Sequence, residues 1–151
     1  MELQISDKCP IRHRKPVKTV PQRMAKRIII KAGSFQNLFK EGLKGMAHEL
    51  KSDFCSVPTH YDCTMHISVN TSDSKKLMVA FLSQVLVLTY AHRTIFSTMY
   101  VQELSEKKLE AQLYGNWFGC LDHQIKAIVE NTSTLERKND GLYTASLLLI
   151  F

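Results

Sequence analysis

Two cysteines and two histidines fall within twelve residues of one another: Cys55, His60, Cys63 and His66, with Asp62 among them. Thiolate sulfur and imidazole nitrogen are the ligands that zinc prefers, and a set of them can complete a tetrahedral site. The spacing is C-x4-H-x2-C-x2-H, which differs from the paired knuckles of zinc fingers. A single short segment would have to wrap the ion. A polar loop leading into a strand accounts for the same residues without a metal.

Other chemistry is thinner. His48-Glu49 lacks the second histidine of a zinc-protease helix. Asp122-His123 reads as an acid–base pair or as an exposed loop dipeptide. There is no G-x-S-x-G elbow, no G-x-x-x-x-G-K-[ST] phosphate loop and no G-x-G-x-x-G turn. The acids are scattered, so no pair of carboxylates stands out for general acid and base work. An adaptor or other non-catalytic protein is therefore expected. Cys9, Cys55, Cys63 and Cys120 form no Cys-x-x-Cys pair, and four reduced thiols are expected.

The charge is uneven. The chain carries a net +6 over 151 residues. Residues 1–31 hold nine Lys and Arg against Glu2 and Asp7, while the rest holds eleven bases against twelve acids. Pro10, Pro16 and Pro21 break up the start. Residues 1–24 are thus expected to form a basic arm, and 25–151 a single domain. Such an arm suits RNA phosphates or an acidic protein surface. It has no aromatic residue before Phe35, which excludes base stacking from the arm. No run approaches the ~18 apolar residues of a membrane span. The first residues lack the apolar core of a secretory signal, so a cytoplasmic location, or a nuclear one in a eukaryote, is expected.

Periodicity supplies the elements that must position any site. "RIIIKA" reads as a short buried strand. Ser34 is an N-cap, and Phe35, Leu38, Phe39, Leu43, Met46, Ala47 and Leu50 follow helical spacing. Gly42 and Gly45 lie inside that helix, where close packing of another element would explain them. "CSVPTHYDCTMH" reads as a loop and His66–Asn70 as a strand. Ser72 is expected to cap a second helix with a wide apolar face (Leu77, Met78, Phe81, Leu82, Val85, Leu86, Thr89) ending near Tyr90-Ala91. "IFSTMYVQEL" and "KKLEAQLYG" form an antiparallel hairpin; "QIKAIVENT" and "LYTASLLLIF" are strands around an Asp140-Gly141 turn. The fold class is α+β, two helices packed on a mainly antiparallel sheet.

Three blocks in this order resemble the archease family: residues 33–50 its first helix, 72–115 its central helix and hairpin, and 125–151 its terminal strands. The resemblance runs over about residues 26 to 151. It implies an accessory protein, not an enzyme, that promotes guanylylation and turnover of an RtcB-type 3′-phosphate RNA ligase in tRNA splicing and RNA repair. It also implies an acidic divalent-cation site. One aspartate comes from a His-Thr-Ala-Asp motif before the first strand and another from an Asp-[IV] pair at the C-terminus.

This sequence departs at both places. With Gly33 aligned, the motif falls on Arg23-Met24-Ala25-Lys26, so Lys26 stands at the aspartate position. The second aspartate falls on Ile150, which leaves the terminal carboxylate of Phe151 as an oxygen ligand. A lysine ammonium has no lone pair to offer a cation. No cofactor is therefore expected. Calcium, manganese or magnesium would enter only if the alignment at Lys26 were shifted, with Asp7 or Asp62 as the ligand instead. Lys126-Ala127 keeps the family pattern, while Val129 and Asn131 replace its usual Thr and His. Arg23, Lys26, Arg27 and Lys126 are the candidates for contacting a partner or a phosphate. Expected partners are the RNA ligase or another RNA-processing protein, with RNA phosphate contact through the arm and no membrane. An interaction module unrelated to ligation is the alternative.

Overall fold

A computed structural model describes residues 24–55, 60–137 and 141–151, and the side chains of these except 54–55 and 130–137. The expected arm up to Arg23, Asp7 and Asp140 lie outside the described residues. The order is β1 (Ala25–Ala32), α1 (Phe35–Leu50), a 3-10 turn (Ser52–Cys55), β2 (Cys63–Asn70), α2 (Ser74–His92), β3 (Thr94–Leu104), β4 (Lys108–Trp117), β5 (Ala127–Arg137) and β6 (Tyr143–Ile150). The strands make two three-stranded antiparallel sheets, ordered β1-β6-β5 and β2-β4-β3. The helices pack against the inner faces of both. This is the expected α+β class, with the sheet divided in two.

Local signals explain the helices. Ser34 is extended, and its hydroxyl accepts the Asn37 N–H at 3.1 Å, which starts α1. Lys51 is extended and ends it, donating its N–H to the Ala47 carbonyl at 2.9 Å. At α2 the cap is Asp73 rather than Ser72: its carboxylate accepts the Lys76 N–H at 3.0 Å. An ionised cap suits the positive end of the helix dipole. Arg93, at φ 52° and ψ 45°, closes α2 two residues beyond its expected end.

The core confirms both helical faces. Leu38, Phe39, Leu43, Met46, Ala47 and Leu50 are buried, and Phe35 is half-buried, edge-on to Phe39 at 5.1 Å. All seven apolar-face residues expected on α2 are buried, with Val79 as an eighth. A side chain added at Gly45 would meet Ile28 at 3.6 Å, and one at Gly42 would meet Met78 at 3.2 Å and Ile30 at 3.6 Å. The two glycines therefore bring β1 and α2 close to α1.

Three readings change. Only one face of β1 is covered by the core, so its isoleucines alternate: Ile30 is buried, Ile28 half-buried and Ile29 63% exposed. β2 begins at Cys63, not His66. Cys120 is disulfide-bonded, whereas Cys63 is a free thiol. No described helix is long and apolar enough to cross a membrane.

Candidate functional site

The residues that could have bound zinc are not gathered. Cys63 and His66 both lie on β2, an odd number of residues apart, so they face opposite sides of the sheet. Cys63 shares the inward row with the buried Ile67 and Val69. His66 faces outward, with Nε2 3.9 Å from Glu110. His60 is exposed and 3.5 Å from Asp62. The Cys55 side chain lies outside those described. Among the described residues no group of three or more His, Cys, Asp or Glu is placed to hold a metal ion.

Asp62 has a structural task. Its carboxylate accepts the Trp117 N–H at 3.1 Å and the Asn116 amide at 3.3 Å, tying the start of β2 to the end of β4. The Trp117 backbone bond leads the causes that hold its pKa below the usual carboxylate value. Asp122 does the same at the end of α1. It accepts the Ser52 N–H at 3.0 Å, and its own N–H donates to the Leu50 carbonyl at 2.8 Å. The Ser52 backbone bond is the chief cause of its lowered pKa, with Lys51 a further contributor at 3.8 Å. The acid–base reading of Asp122-His123 thus gives way to a clasp, in which the His123 ring lies 5.7 Å from that of Phe151.

The residues at the two ends of the domain do converge. β1 pairs with β6, and Ala25 stands opposite Ile150 and Lys26 opposite Leu149. The Phe151 N–H donates to the Met24 carbonyl at 2.8 Å, and the Lys126 N–H to the Ile150 carbonyl at 2.6 Å. Lys26, Lys126, Ile150 and Phe151 therefore meet at one end of one sheet. Directly opposed residues share a face. Lys26 thus belongs to the inward row with Ile28, Ile30 and the buried Leu149, whereas Ile150 faces the other side. The Arg27 guanidinium also lies on that outer side and donates to the Ser146 hydroxyl at 2.8 Å.

At the end of its row Lys26 reaches α1. Its Nζ lies 2.9 Å from Glu49 Oε2, and the Glu49 side chain is only 12% exposed. The geometry follows from one pattern: Ile28 lies over Gly45, and the next inward residue of β1 lies over the next turn of α1. Glu49 was legible only as part of the polar face of α1, because nothing local reveals a partner 23 residues away. The Glu49 carboxylate already holds an ammonium, and Ile150 offers no oxygen from its side chain.

The model of the archease protein family (MTH1598/TM1083) matches residues 26–149. The chain belongs to the archease family. The fold agrees: the crystal structure of an archease, possible chaperone, from Thermotoga maritima superposes with a TM-score of 0.55 at 10% identity. The match covers 91% of this archease chain and 97% of that one. A comparison with curated protein sequences finds no match.

Proposed function

We propose that this archease is a non-catalytic accessory protein that promotes an RtcB-type 3′-phosphate RNA ligase, and that it does so without a divalent cation of its own. Family membership over residues 26–149 supports the first half. The Lys26–Glu49 pair carries the second. An ammonium held at 2.9 Å neutralises the carboxylate from within the chain, where the resemblance would place a metal ion and an aspartate. The description of the Thermotoga protein as a possible chaperone fits a helper rather than a catalyst. A cytoplasmic or nuclear location belongs to the same reading.

Two measurements test the halves separately. Added to a purified RtcB-type ligase and a 3′-phosphate RNA, the chain raises multiple-turnover joining. No stimulation and no co-purification with the ligase would refute the partner. In calorimetry the isolated chain gives no saturable heat with calcium or manganese. Saturable binding of either ion by the unaltered chain would refute the cation-free reading, whatever the ligase assay shows.

A further inference from the structure

Beside the Lys26–Glu49 pair runs a groove that the ligase reading does not use. Two adjoining cavities, of about 360 and 370 Å3, share Lys31, Glu41 and Lys44. One wall is β1: the consecutive residues Ile28, Ile29, Ile30 and Lys31 all line the second cavity. Side chains along a strand alternate between faces, so four residues in a row can line one groove only through the backbone edge. Among the described residues β1 pairs with β6 alone, and this is its other edge, with N–H and C=O groups that no described strand takes up.

The floor is α1. Asn37, Lys40, Glu41, Lys44, His48 and Glu49 recur at helical spacing as one stripe along the groove. From Asn37 to Glu49 that stripe is about 18 Å long at 1.5 Å per residue. It matches about five residues of extended chain. At the far end the first cavity is bordered by Ser97 and Thr98 of β3, an edge strand of the other sheet.

Charge selects the occupant. Glu49 is neutralised by Lys26, and Glu41 lies 3.8 Å from Lys44. The Lys31 and Lys40 side chains have no ion-pair or hydrogen-bond partner among the described residues. No Phe, Tyr or Trp side chain lines either cavity, which leaves the His48 ring as the one surface there on which a nucleobase could stack. We propose that this groove takes an extended acidic segment of a partner protein, which adds as a strand to this edge of β1 and sets its carboxylates against Lys31 and Lys40. Backbone bonds supply the affinity and the lysines the selection, as in other strand-addition complexes. The inference holds whether or not the partner is a ligase.

The test uses the full chain and a fluorescein-labelled peptide about seven residues long in which pairs of adjacent glutamates are separated by valine, so that carboxylates face both sides of the added strand. Fluorescence anisotropy should show saturable binding. Lys31→Glu with Lys40→Glu should weaken it by about tenfold or more, because two favourable charges become repulsive. Methylating alternate peptide nitrogens leaves the peptide's charge intact and removes the strand bonds, so it should also weaken binding by about tenfold. Circular dichroism of the double variant confirms that it is folded. Any of three results would overturn the proposal: no saturable binding, equal binding of the methylated peptide, or displacement of the peptide by oligouridylate at equal concentration.

Discussion

The two sheets handle polar residues in opposite ways. In β2-β4-β3 the residues that looked like a site are neighbours in sequence and strangers in space, because β2 sends Cys63 inward and His66 outward. In β1-β6-β5 the residues that meet are strangers in sequence. Lys26 and Glu49 are 23 positions apart, and Phe151 bonds to Met24 across almost the whole domain. A strand splits what is adjacent along the chain, while pairing and helix packing gather what is remote. Density of chemical residues in a sequence window is thus a poor guide unless the period of the element is known.

Glycine gives the sharpest way to break this contrast. Gly115, in the middle strand of β2-β4-β3, has no room: an added Cβ would lie 2.5 Å from the Ile95 carbonyl oxygen and 2.7 Å from the Thr94 side chain. Gly115→Ala should cost about 3 kcal/mol or more in urea denaturation, since backbone must move to admit it. Gly45, under β1, should respond with the opposite sign. Its added Cβ would sit in ordinary contact with Ile28 at 3.6 Å. Gly45→Ala should therefore gain up to about 1 kcal/mol from helix propensity. A loss there would mean that β1 lies on α1 as tightly as β4 lies on its neighbours.

The charge pair is a step smaller. Lys26→Met should lower stability by about 1 kcal/mol, because Glu49 loses its partner while mostly covered, and Lys26→Arg should restore most of it. High salt should narrow the gap between wild type and Lys26→Met.

The smallest effects separate the sheets by pH. Asp62 and Asp122 both have folded pKa values below the ordinary carboxylate value. A depressed folded pKa means that the ionised form is the stabilising one. Its contribution is present above the unfolded pKa of about 4 and fades as pH falls through the folded value. Asp62→Asn and Asp122→Asn should each lower the urea midpoint at neutral pH and converge on wild type in strong acid. A gap that persisted at low pH would show that the amide disturbs packing instead. Tyr90 marks the alkaline side. Burial raises its pKa to about 12, and its hydroxyl donates to the Ile125 carbonyl at 2.7 Å. Because the neutral phenol is the folded form, stability should fall as pH rises from about 10 toward that value.

Much of the fold was legible in the sequence because helices announce themselves locally. Ser34 and the apolar face of α1 lie within a few turns of one another, and so do those of α2. The misplaced α2 cap came from two adjacent residues, Ser72 and Asp73, that are equally able to cap. The division into two sheets was not legible, since β1 finds its partner more than a hundred residues away. For the same reason Lys26 was legible as a charge out of place, but Glu49 was not legible as its partner. The three isoleucines misled because an unbroken apolar run suggests a strand covered on both faces, whereas β1 is covered on one. The Cys120 disulfide gave no sign in cysteine spacing.

The pairing of β1 with β6 also orders events in time. Strands β2, β3 and β4 lie within residues 63–117 and can pair while the chain is still being synthesised. β1 is made before the other described strands and must wait for residues 143–150 before it has a strand partner. Contacts this remote in sequence slow folding. Until they form, the backbone N–H and C=O groups of β1 have no strand to bond to. The earliest of the described strands is thus among the last to be paired, and a folding helper that bound the backbone of "RIIIKA" would meet it throughout that interval.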